Sequence, residues 1–112
     1  MINFLINFLN VLPLFIATYI SAIYFRKQEI YSAIALLIIL ITILIISKFS
    51  ILSSIAIIIL GFLMAFTEWI CVTKFNMWKY NYSNYQVPLW LPFAWSISII
   101  FAYYIIEITK TM

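Results

Sequence analysis

Four stretches of this chain, 4–25, 30–47, 51–73 and 88–108, each come close to the ~20 apolar residues that a helix needs to cross a bilayer. In hydrocarbon, backbone amides and carbonyls must find partners within the protein, and a helix satisfies them within each segment. The chain therefore reads as all-α, a polytopic membrane protein with one four-helix transmembrane domain over 1–112. Composition agrees: with 68% hydrophobic and 8% charged residues, 112 residues cannot coat a soluble domain with polar groups.

The connections differ in kind. Arg26-Lys27-Gln28-Glu29 is a short charged turn that makes the first two helices an antiparallel hairpin. Lys48-Phe49-Ser50 is a weaker break, but 30–73 is about twice the length that spans a bilayer, so two helices are expected there. The third connection, 74–87, is rich in Trp, Tyr and Asn and reads as an aromatic loop along the headgroups, where a ring is half buried and its polar atom stays wet. Pro88 and Pro92 suit the first turn of the fourth helix, where a missing N–H matters least, although Pro92 sits a turn in, so that an extended or kinked course over 87–91 is the alternative.

Arg26, Lys27, Lys74 and Lys79 fall on one side of the membrane and Lys48 and Lys110 on the other. The positive-inside rule then puts loops 26–29 and 74–87 in the cytoplasm and both termini outside. Positive charge follows the first apolar run instead of preceding it, so that run reads as a retained span and not as a cleaved signal.

Several chemistries are excluded. The chain has no His and no Asp, and Cys71 is its single cysteine, so neither a Ser-His-Asp triad nor a conventional zinc site can be assembled from it. Nothing calls for a cofactor. The net charge of +3 is dispersed, with no basic face for nucleic acid. The bilayer is the expected partner, with a second copy or a larger membrane protein as a further one.

Glu68 stands out because it is a carboxylate inside an apolar run. An ionisable group at membrane depth costs a few kcal/mol on insertion scales and is retained where it faces a bundle, a cavity or a ligand. Small and polar residues mark protein-facing stripes in membrane helices. On heptad spacing these are Asn3, Asn7, Asn10, Leu14, Ala17, Ser21 and Tyr24 in the first helix. They are Ser54, Ile58, Gly61, Ala65, Glu68 and Val72 in the third, and Trp95, Ser98 and Ala102 in the fourth. Helical rise places Glu68 ~8 Å and Trp95 ~10 Å from the same interface. The expected recess has Glu68 as its acid and Ser21, Tyr24 and Trp95 around it, with Trp69, Trp78, Tyr80 and Trp90 as further ligand contacts. The plainer reading makes the aromatics an interfacial belt and Glu68 a partner for Lys74 or Lys79. Glu29 reads as a turn charge, and Glu107 as a surface pair with Lys110.

Glu68-Trp69, Trp78-x-Tyr80 and Val87-Pro88-Leu89-Trp90-Leu91-Pro92-x-Ala94-Trp95 together look like a pattern found in small, largely uncharacterised bacterial membrane proteins. More distantly the pattern resembles the membrane-bound carotenoid biosynthesis proteins of the lycopene cyclase and carotenoid hydratase group. The resemblance covers about 61–95. It implies a bacterial inner membrane, an isoprenoid ligand, Glu68 as proton donor to a double bond, and Trp78, Tyr80 and Trp95 lining the site. Those enzymes have more spanning helices, so it also implies a dimer to complete a comparable cavity. Two other readings fit the outline: a small proton-coupled exporter of hydrophobic cations, and an accessory subunit that packs against larger membrane partners.

Overall fold

The computed structural model describes residues 2–25, 27–77 and 88–110, with the side chains of 2 and 3 left aside. Four helices follow one another: α1 (Ile2–Tyr24), α2 (Glu29–Ile46), α3 (Ile51–Lys74) and α4 (Leu91–Lys110). All four are long and apolar enough to cross a membrane. The protein is an all-α, four-helix integral membrane protein.

The α2–α3 turn is formed without a glycine. Lys48 takes the left-handed conformation (φ 59°). Its N–H bonds the Ile45 carbonyl at 3.1 Å, and the Phe49 N–H bonds that of Leu44 at 3.3 Å. This is the Schellman arrangement that closes helix ends, with lysine where glycine usually stands. Ser50 then caps α3, its hydroxyl accepting from the Ser53 N–H at 3.1 Å. At the far end of α3 a second left-handed residue, Asn76 (φ 51°), lets the Met77 N–H return to the Cys71 carbonyl.

α1 packs along α2, both pack on α4, and α3 packs along α4. The core is Val11 and Phe15 of α1, Leu36, Leu40, Ile43 and Leu44 of α2, and Ile97, Ile100 and Tyr104 of α4. Near the chain termini, rings interlock around Tyr104: Phe4 lies 5.0 Å and Phe8 5.5 Å from it, centroid to centroid. Such pairs contribute ~0.5–1.5 kcal/mol beyond the area they bury. The Tyr104 hydroxyl donates to Ser47 Oγ at 2.5 Å, tying the end of α4 to the end of α2.

The α3–α4 seam is closer still. Gly61, Ala65 and Val72 are the buried residues of α3, as the stripe of small residues anticipates, and Gly61 meets Pro92 and Ser96 of α4. Ser96 is buried opposite, and its hydroxyl donates to the Ile57 carbonyl at 3.1 Å, crossing between helices. A hydroxyl can reach a neighbouring helix's carbonyl only where the backbones come close.

Two expected faces turn out differently. On α1 the buried side is Val11, Phe15 and Thr18, with Phe4 and Phe8 packed on the core, while Asn10 and Tyr24 are exposed. This is one residue, about 100°, away from the asparagine stripe. On α4 the buried residues are Leu91, Ser96, Ile97, Ile100 and Tyr104, while Ser98 and Ala102 are exposed. Interlocking Phe and Tyr rings set both faces, and that outweighs the preference for small residues. The fourth helix also begins at Leu91 instead of 88. Pro88 to Leu91 is a turn closed by the Leu91 N–H on the Pro88 carbonyl at 3.2 Å, and Pro92 sits second in the helix, where no N–H is needed.

Candidate functional site

A cavity of about 360 Å³ lies between α1, α2 and α4. Phe15, Thr18, Tyr19 and Ala22 of α1 form one wall, and Ala94, Ile97, Ser98 and Phe101 of α4 the other. Leu36 closes the floor, and Trp90, in the turn before α4, stands at the end nearest the α1–α2 connection. The wall holds no carboxylate and no cation.

Of the wall's three hydroxyls, those of Thr18, Tyr19 and Ser98, two are engaged within their own helices. Thr18 donates to the Leu14 carbonyl at 3.0 Å and Ser98 to the Ala94 carbonyl at 2.9 Å, each within its own helix. A hydroxyl bonded back to its helix presents mostly carbon to the cavity, so the space is mainly apolar, with the Tyr19 phenol and the Trp90 indole N–H as its other polar groups. Four rings face it, those of Phe15, Tyr19, Trp90 and Phe101. Tyr19 is 72% exposed, so the α1 side opens outward toward lipid.

The residues anticipated from sequence are scattered. Trp90 is half-buried and in the cavity wall. Trp95 is half-buried on α4 and outside that wall. Ser21 is half-buried near the end of α1, and Tyr24 is 76% exposed, edge-on to Phe25. Trp69 is partly exposed and stacks on Phe66 at 5.8 Å. Trp78 and Tyr80 lie outside the described residues.

Glu68 is half-buried on the α3 stripe that carries Gly61, between buried Ala65 and Val72. Two geometric facts separate it from the expected recess. First, successive helical residues are about 100° apart. On α4 the cavity residues Ala94, Ile97, Ser98 and Phe101 therefore lie on the side roughly opposite Pro92 and Ser96, which meet Gly61 of α3. Second, the register of the seam places Gly61 beside Pro92 and Ser96, and Phe62 against Phe93 at 6.1 Å. Glu68, seven residues further along α3, is thus about 10 Å from the level of Gly61, toward the α3–α4 connection. Trp95 stays near the level of Gly61. The equal depth expected for Glu68 and Trp95 does not hold, because α4 starts three residues late and meets α3 nearer that helix's middle.

The charged residue that sequence reasoning passed over is Glu29. It opens α2, is only 7% exposed, and its Oε1 accepts the Leu89 N–H at 2.8 Å across 60 residues of sequence. A carboxylate in the first turn of a helix is stabilised by the positive end of the helix dipole. Its position as the first helical residue after a turn was the only available signal. Glu107, by contrast, pairs with Lys110 at 3.1 Å on the surface, as expected. Among the described residues no group of His, Cys, Asp and Glu side chains could hold a metal ion. No family model, no curated protein and no solved structure matches this chain.

Proposed function

We propose that this membrane protein binds an apolar, chain-like ligand of isoprenoid or polyene type in the α1–α4 cavity. The observation that carries the reading is the wall itself: about 360 Å³ of space lined by four rings and by aliphatic side chains, with the Thr18 and Ser98 hydroxyls bonded within their own helices and Tyr19 contributing the third. That volume falls in the range of small-molecule sites. Within a bilayer the competitor for such a space is a lipid tail as apolar as the ligand, so apolar transfer supplies no preference. Selection then comes from shape and ring contacts. A rigid conjugated chain also gives up less conformational freedom on binding than a saturated tail does, which favours it.

In the accompanying orientation Arg26, Lys27, Lys74 and Lys79 are cytoplasmic and both termini lie outside. A proton-donating Glu68 belongs to a narrower version, in which the reactive end of the ligand reaches the α3 side of α4.

The test uses protein purified in mild detergent, with mass spectrometry of whatever co-purifies and titration with a conjugated polyene fatty acid. Energy transfer from tryptophan to the bound polyene reports occupancy. An isoprenoid or polyene in the extract, or saturable transfer competed by retinol, supports the reading. Ordinary membrane lipid alone, with no saturable transfer, overturns it.

A further inference from the structure

We propose that Glu29 is a positioning residue for the cavity: through the Leu89 amide it holds Trp90 in the wall. The inference rests on the apolar-ligand reading for its ligand, but not for its geometry.

Trp90 lies between two fixed points. On its C-terminal side the Ala94 N–H bonds the Trp90 carbonyl at 3.0 Å, the first bond of α4. On its N-terminal side the Leu89 N–H is bound by Glu29 Oε1 at 2.8 Å. The Leu89 side chain is 42% exposed and Glu29 is 7% exposed. The turn is therefore anchored to α2 through its backbone amide, not through the leucine side chain. Nearby, the Ser32 hydroxyl donates to the Phe25 carbonyl at 2.8 Å, which fixes the start of α2 against the end of α1. Glu29 thus sits on a braced element and transmits that position to the residue next to Trp90. Without an acceptor at this point the Leu89 amide needs another partner, and a turn that shifts to find one carries the indole with it.

Three substitutions separate reach from charge. Glu29→Gln keeps an oxygen at the same distance and removes the charge. Glu29→Asp keeps the charge at the α2 N-terminus and withdraws the oxygen by one methylene. Glu29→Ala removes both. Dissociation of the polyene fatty acid is measured on each, beside the melting temperature. In a background of Trp69→Phe, Trp78→Phe and Trp95→Phe, quenching of Trp90 by brominated lipid is measured as well.

Glu29→Gln is expected to release the polyene within about threefold of the wild-type rate, and Glu29→Asp about tenfold faster, the scale of one lost hydrogen bond. Trp90 quenching should change in Glu29→Asp and Glu29→Ala and stay near wild type in Glu29→Gln. A role confined to stability would instead make release follow melting temperature, with Glu29→Gln as poor as its lost charge dictates, and that result overturns the proposal. So does Trp90 quenching that is unchanged in Glu29→Asp. If the wild-type protein binds no polyene, the ligand reading fails, and the quenching series still decides whether Glu29 holds Trp90. Should Glu29→Ala not fold, the Gln and Asp variants carry the comparison.

Discussion

Gly61 faces Ser96 so closely that a β-carbon on Gly61 would fall on the Ser96 hydroxyl and come within 2.5 Å of the Pro92 carbonyl oxygen. The serine can rotate or be shortened, but the backbone oxygen cannot move without shifting α4. Gly61→Ala should therefore destabilise the protein by about 1–3 kcal/mol, the usual cost of overpacking. Thermal unfolding in detergent measures it. Adding Ser96→Gly should recover only part of the loss, since the Pro92 carbonyl stays in place. A Gly61→Ala protein that melts with the wild type would mean that the helices are less tightly apposed than this.

Tyr104 and Ser47 form the other inter-helix tie open to a clean test. Tyr104 is 2% exposed and its ring is held by Phe4 and Phe8, so Tyr104→Phe removes the hydroxyl with little change in packing. Hydrogen bonds between membrane helices average ~0.6 kcal/mol in double-mutant cycles. Tyr104→Phe and Ser47→Ala should each cost about that much, and the double variant no more than either alone. Additive losses would show that the two hydroxyls act on separate partners.

The fold was legible because four apolar runs leave few alternatives, and the α3 face was legible because Gly61 and Ala65 are small for a reason that backbone spacing explains. The α1 and α4 faces were not. Phe4, Phe8, Phe15, Phe101 and Tyr104 carry no periodic signal that separates rings packed on one another from rings in lipid, and both environments suit them equally. The break at Lys48 was legible from length alone, since 30–73 is too long for one span, although its left-handed turn uses no glycine. Glu29 was misjudged because its partner lies 60 residues away, and nothing near it in sequence indicates that Leu89 will arrive there. Of the residues expected around Glu68, Trp90 lines the α1–α4 cavity, on the side of α4 away from Gly61.

The orientation can be checked with the chain's single cysteine removed. In a Cys71→Ser background, Lys48→Cys should react with a membrane-impermeant maleimide on intact cells, while Lys27→Cys should react only after permeabilisation. These positions lie at opposite ends of α2, which spans 18 residues or ~27 Å. The reverse pattern inverts the assignment of both loops.

Glu68 and Ala94 give the sharpest contrast between the two candidate locations for a ligand. Ala94 is in the cavity wall and half-buried, so Ala94→Phe puts a ring into the space without touching the α3 seam. Glu68 lies on the other side of α4 and about 10 Å further toward the α3–α4 connection. If the ligand lies between α1 and α4, Ala94→Phe should weaken polyene binding at least tenfold, about 1.4 kcal/mol, and Glu68→Gln should leave it within twofold. A ligand centred on Glu68 predicts the reverse. Retained binding in Glu68→Gln with loss of proton transfer to an isoprenoid would assign the two sides of α4 to one long ligand. The energy-transfer titration reads binding, and product analysis in deuterated water reads proton transfer, so the three outcomes stay distinct.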